Sequence, residues 1–260
     1  MSQEIQEKIS RKDFLKMILG AGAAMGLGSI IGPLVSNKIS APSVKHDPST
    51  AQMNYLSKLW WIWQCSIPAD ISPVYDLTGT KAFMGNLHNE KDVFFLAEGY
   101  QGPTPAGPEG ETPPLRPGII RRAKIKADGK SLFMPMVNSI FFVGLNGTPE
   151  EAMKKANANT DSTYETTLKL GSNLTAKRIE KVIATPFDRF TIEFADRPTY
   201  SEFKPNQRVE AFTSGIWCLT NPLKRGETYD VTYGSKVRAS AIAGGSGAWE
   251  TEYRYILEVV

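Results

Sequence analysis

YLSKLWWIWQCSIP, residues 55–68, holds three of the five tryptophans in a chain of 260 residues. Met53, Leu56, Trp60, Trp63 and Ile67 recur at steps of three and four, which at about 100° per residue places them on one helical face. The spacing predicts an amphipathic helix closed by Pro68. Trp61 and Ile62 widen the apolar stripe, and a helix apolar round most of its circumference belongs in a core. The competing reading is an exposed aromatic platform that stacks on sugar rings or sits at a membrane interface, because Trp joins a large apolar face to one N–H donor.

Beyond the helix the sequence breaks into short β-type runs that need a rigid body to pack on. Residues 71–85 are irregular, and DVFFLAE at 92–98 is a short apolar run suited to a buried strand. Residues 102–118 contain six prolines and four glycines, so they hold no regular element and are expected at the surface. The runs 119–127 and 131–137 flank Asp128-Gly129, which predicts a tight hairpin between them. Thr148-Pro149-Glu150-Glu151 carries a capping Thr, Pro at the first helical position and a Glu three residues on, predicting a short helix to residue 158. Further strands are expected at 165–170, 179–184, 190–194, 210–219, 227–233, 237–243 and 249–260. Phe190, Ile192 and Phe194, and likewise Tyr229, Val231 and Tyr233, alternate with polar residues as half-buried antiparallel strands do. The expected fold is mainly β: an antiparallel, jelly-roll-like β-sandwich at 52–260 packed on the Trp-rich helix, with one further short helix.

The N-terminal segment points to export. Ser10-Arg11-Lys12-Asp13-Phe14-Leu15-Lys16 precedes the uncharged, Gly/Ala-rich run 17–35. It resembles a twin-arginine translocation signal at Arg11, Phe14 and Leu15, with Lys12 where that signal has its second arginine. Glycines at 20, 22, 26, 28 and 32 disfavour a buried soluble helix, since each costs about 1 kcal/mol against Ala. As a leader helix the run would span ~28 Å, close to a hydrocarbon core. Residues 1–41 are therefore expected to be an export signal or an uncleaved membrane anchor, and 42–51 a polar tether. The partners implied are the export machinery and, if the helix stays, the membrane; the location implied is extracytoplasmic.

A wider resemblance rests on several short stretches. They are the Trp helix ending in Ser66-Ile67-Pro68, Asp76-Leu77-Thr78-Gly79, residues 93–99 (VFFLAEG), residues 128–135 (DGKSLFMP) with Asn138-Ser139, and Gly215-Ile216-Trp217 with Pro222-Leu223 and Gly226. Taken as a set over residues 55–260, this resembles a family of uncharacterised exported prokaryotic proteins. The resemblance implies export and architecture, with no activity attached. Members often carry cysteines after the Thr-Gly turn and before the Lys-containing hairpin; Lys81 to Phe83 and the surroundings of Ala123 hold none here.

Composition removes several kinds of chemistry. The net charge is +3, and the first 41 residues hold five bases against three acids. The remaining 25 bases and 24 acids give no electrostatic case for nucleic acid. With His46 and His88 alone there is no imidazole cluster for a metal, and no cofactor is expected. Gly244-Gly245-Ser246-Gly247 lacks the Lys of a phosphate loop and reads as a flexible turn. Asn157-Ala158-Asn159-Thr160-Asp161 alternates oxygen ligands as a calcium loop does, but lacks the Gly and the closing Glu.

Cys65 and Cys218 are the two cysteines and are disulfide candidates in an oxidising compartment; separately buried thiols are the alternative. Asn146 and Asn173 head N-glycosylation sequons. Glu193 with Asp196, or Glu98 with Asp92, would serve glycoside hydrolysis if the carboxyls converged. The function expected is a non-catalytic binding or scaffold module of the cell envelope, with glycans among its ligands. The alternative is a carboxylate-based glycoside hydrolase outside the membrane.

Overall fold

A computed structural model describes residues 48–88, 90–98, 119–238 and 249–260. These fall within one unit of the chain, Ala41–Val260. The leader with Arg11, Lys12, Phe14 and Leu15, the Pro-rich run 102–118 and the glycines at 244–247 lie outside the described residues, as does most of the strand expected at 237–243. Among the described residues no helix is long and apolar enough to cross a membrane.

Helix α1 spans Thr50–Ser66. The Ser49 hydroxyl caps its first turn by accepting from Gln52 N, and Ile67 and Pro68 end it in extended backbone. Met53, Leu56, Trp60, Trp61 and Trp63 are all buried, so the helix is a core element and not a platform. Two of its buried indole N–H groups find backbone acceptors. Trp60 Nε1 donates to Leu96 O at 2.9 Å and Trp63 Nε1 to Met84 O at 2.8 Å, which ties the helix to the end of β1 (Val93–Phe95) and to a 3-10 turn at Ala82–Asn86.

The remaining elements are β2 (Ile119–Ile125), β3 (Ser131–Phe142), helix α2 (Pro149–Asp161), β4 (Thr163–Leu170), β5 (Ala176–Val182), β6 (Phe190–Glu193), β7 (Arg208–Pro222), β8 (Thr228–Val237) and β9 (Trp249–Val259). The described chain is mostly strand. One sheet runs β1-β3-β7-β5, with β6 also on β7; the other runs β2-β9-β8-β4. The expected capping box opens α2, with Thr148 and Glu151 satisfying each other's backbone N–H groups. Helix α2 continues to Asp161, so the residues with calcium-loop spacing are helical.

Two expectations change. The sheets are mixed and not purely antiparallel, because β1 pairs with β3 and β2 with β9 in parallel. Asp128-Gly129 also forms no hairpin. Gly129 takes the positive φ (73°) the turn needs, but the turn carries the chain from β2 in one sheet to β3 in the other. It is held by Gly129 N to Leu223 O and by Arg225 N to Asp128 Oδ1, both 2.9 Å.

Strand alternation explains the packing on the two faces of β3 and β7. Phe133 and Trp217 meet the aromatic face of α1, where Trp60 lies 5.6 Å from Trp217. Leu132, Met134, Met136 and Cys218 instead join Tyr229, Val231, Tyr233, Tyr253, Tyr255 and Leu257 of the other sheet in a single apolar cluster.

Candidate functional site

Strand β2 reads IIRRAKI, and its inward positions are Arg121, Ala123 and Ile125, while Arg122 and Lys124 face solvent. Parity thus sends one guanidinium into the core. Arg121 is 1% exposed. It sits in register with Tyr255 of β9, and Tyr253 is in register with Tyr233 of β8. The guanidinium carbon lies 5.7 and 5.2 Å from the Tyr253 and Tyr255 ring centres, within reach of cation–π attraction.

One backbone carbonyl gathers this cluster. Ala97 O accepts from Arg121 Nη1 at 2.9 Å, from Tyr233 Oη at 2.8 Å and from Tyr255 Oη at 2.6 Å; Arg121 Nη1 also donates to Tyr255 Oη. Burial opposes the guanidinium's charge, but the phenol oxygens of Tyr255, Tyr233 and Tyr253 outweigh it and hold Arg121 protonated. Tyr233 and Tyr255 are pushed above the ordinary phenol range, chiefly by burial.

Glu98 directly succeeds Ala97 in the chain. Its residue keeps some solvent-exposed surface, although protein atoms closely surround its carboxyl. Burial pushes that carboxyl up to about 8, against the pull of Arg121, so it is largely uncharged at neutral pH. Asp76 is the contrasting acid. Burial would raise it, but Lys81 N at 2.6 Å, Thr78 Oγ1 at 2.7 Å and Thr78 N at 2.9 Å donate to its oxygens and hold it below the usual range. The turn it organises docks on β2: Arg122 N donates to Thr78 O at 2.9 Å. Gly79 (φ 93°) lies so close to β2 that a Cβ there would come within 2.8 Å of Arg122 N. The Asp-x-Thr-Gly turn and the segment after β1 therefore both dock on β2 at Arg121 and Arg122.

Of the acids expected to pair, Glu98 belongs to the cluster, but Asp92 is exposed at the other end of β1 and has no part in the Glu98 shift. Glu193 is held in a surface ion pair by Arg208 at 2.6 Å. His88 stacks on Phe95 at 3.8 Å and accepts from Glu90 N through Nδ1. No group of metal-ligating residues occurs among the described residues. Cys65 and Cys218 are free, buried thiols; Trp217 is the β7 residue turned to α1, so its neighbour Cys218 faces the opposite sheet. Asn146 is half-buried with Oδ1 accepting from Phe142 N, whereas Asn173 is exposed and donates to Glu227 and to Thr228 O.

Sequence reasoning missed Arg121, the residue around which the cluster forms. The available signal was parity, since Arg121 occupies the same phase as Ile125. Comparison with protein families and with curated proteins finds no match for this chain.

Proposed function

We propose that the protein is an extracytoplasmic, non-catalytic binding or scaffold module, secreted or held at the outer face of the cytoplasmic membrane. Its two sheets are read as a jelly-roll-like β-sandwich, and its motifs as those of the exported family they resemble. The observation that supports binding over hydrolysis is the company of Glu98. A glycosidase needs two carboxyls flanking one bond, about 5 to 10 Å apart. Glu98, the carboxyl held uncharged, is acted on by the Arg121 guanidinium and neighbours the Tyr233 phenol. Asp76, another buried acid, is occupied by donors from its own turn. That company supports recognition over hydrolysis, and the donors around Arg121 suit an acidic or hydroxylated ligand.

The test is a glycan-array screen of the purified chain run beside a reducing-sugar assay. Retention of glycans without release of reducing ends is the expected result. Sugar release that disappears in Glu98→Gln would establish the hydrolase instead.

A further inference from the structure

Nε and Nη2 of an arginine form the side-on edge of the guanidinium, the geometry that holds a carboxylate by two parallel hydrogen bonds. At Arg254 and Arg178 that edge is filled. Arg254 gives Nε and Nη2 to the two oxygens of Asp230 at 2.9 and 2.5 Å, and Arg178 gives both to Glu180 Oε2 at 2.8 and 2.6 Å. Arg121 is buried far more deeply than either, yet among the described residues nothing accepts from its Nε or Nη2. Its opposite nitrogen, Nη1, is engaged by Ala97 O and Tyr255 Oη, and Tyr253 and Tyr255 stand against the guanidinium. The group is thus fixed in place with one bidentate edge unmet. Charged donors left without acceptors in a dry core are strongly unfavourable.

We propose that the Nε/Nη2 edge of Arg121 is a subsite for the carboxylate of a small ligand such as a uronate, approaching on the partly exposed Glu98 side. The proposal rests on the reading of the protein as a binding module and names its ligand class. A planar, singly charged group fits because a single guanidinium, with Glu98 already beside it, is too little positive charge for a dianion. Glu98 in its uncharged form offers an O–H to the ligand and no competing charge. The groups that set the charge state here are Arg121, Glu98, Asp76, Tyr233, Tyr253 and Tyr255. Tyr233 and Tyr255 stay protonated through the range in which Glu98 titrates, so ionisation of Glu98 places a rival carboxylate beside the edge and weakens ligand binding.

The test monitors the Arg121 Nε–H resonance of the full chain labelled with nitrogen-15 in arginine, assigned through its contacts with the Tyr253 and Tyr255 rings. Glucuronate at mildly acidic pH should move it downfield saturably, and glucose should leave it unmoved. Affinity should fall by about tenfold or more at mildly alkaline pH, as expected when a charge-assisted bidentate pair gains a competitor. Glu98→Gln, which cannot ionise, should bind glucuronate with little pH dependence. A resonance already downfield without ligand and unmoved by glucuronate would mean that a carboxylate of the chain itself holds the edge, and would overturn the proposal. An unshifted resonance that ignores glucuronate would overturn it equally. Either result leaves the broader binding reading standing, because a glycan held elsewhere does not touch Arg121; release of reducing sugar is what defeats that reading.

Discussion

The indole of Trp217 lies flat on the ring of Phe133, their centres 5.1 Å apart and their planes 8° from parallel. On its other side the same indole takes the edge of Trp60 at 5.6 Å. A strand aromatic thus transmits the packing of α1 into the sheet.

Trp60→Ala and Trp63→Ala should each destabilise the fold by about 3 to 5 kcal/mol, a large share of an ordinary stability. Each removes a buried ring and also the indole hydrogen bond to Leu96 O or Met84 O. Thermal melts read the effect directly. Midpoints unchanged in both variants would place the helix outside the core.

Gly234→Ala should be as damaging as a large core truncation, although it adds only one methyl group. A Cβ at Gly234 would lie 2.0 Å from Thr251 O on β9, so the β8–β9 ladder would have to part. Urea unfolding is expected to show a loss of about 1 to 3 kcal/mol or more. A midpoint equal to wild type would mean that the two strands have room to move.

His88 should remain neutral far into acid. Burial, reinforced by Lys130, lowers its pKa from 6.5 to about 3. Above about pH 6.5 neither the folded nor the unfolded state protonates it, and there is no effect. Between 6.5 and about 3 the unfolded chain binds a proton that the folded chain refuses, so stability falls with pH by up to about 1.4 kcal/mol per unit. Imidazole resonances should stay constant from neutrality to about pH 4, and His88→Gln should flatten the stability slope over that window. Asp76 and Asp188, both held below the usual carboxylate range against the opposing effect of burial, add their loss at lower pH. A His88 titration midpoint near 6.5 would refute its burial as a neutral ring.

Cys65 and Cys218 should ignore thiol reagents until the protein unfolds, since burial pushes both thiols up, Cys218 to about 12. Denaturation should then expose both to labelling. An intact mass lighter by two hydrogens, with no labelling after unfolding, would show a bridge in place of the free pair.

The parts of the fold legible in the sequence are those whose causes are local. The 3–4 spacing of Met53, Leu56, Trp60 and Trp63, the Thr148 and Glu151 box and the alternation of Tyr229, Val231 and Tyr233 each act within a few residues, and each stands in the structure. Partner choice is decided at long range. Asp128-Gly129 has the chemistry of a hairpin turn, but what β2 binds is settled by β9, and no residue near 128 reports that. Arg121 was hidden for a related reason. A charged residue in a strand is ordinarily a solvated one, and only Ala97 O with the β9 tyrosines turns this position into a tolerable place for a guanidinium.

The place of β9 between β2 and β8 has a consequence for how the chain acquires its shape. Ile119 finds its partner only at Tyr253, whereas β8 pairs with β4 as well as with β9. Until residues 249–259 are made, β4 and β8 can pair with each other but β2 has no partner strand. Pairings this distant are slow to form and leave open edges while they wait. Strand β2 therefore waits with an open edge until β9 is made.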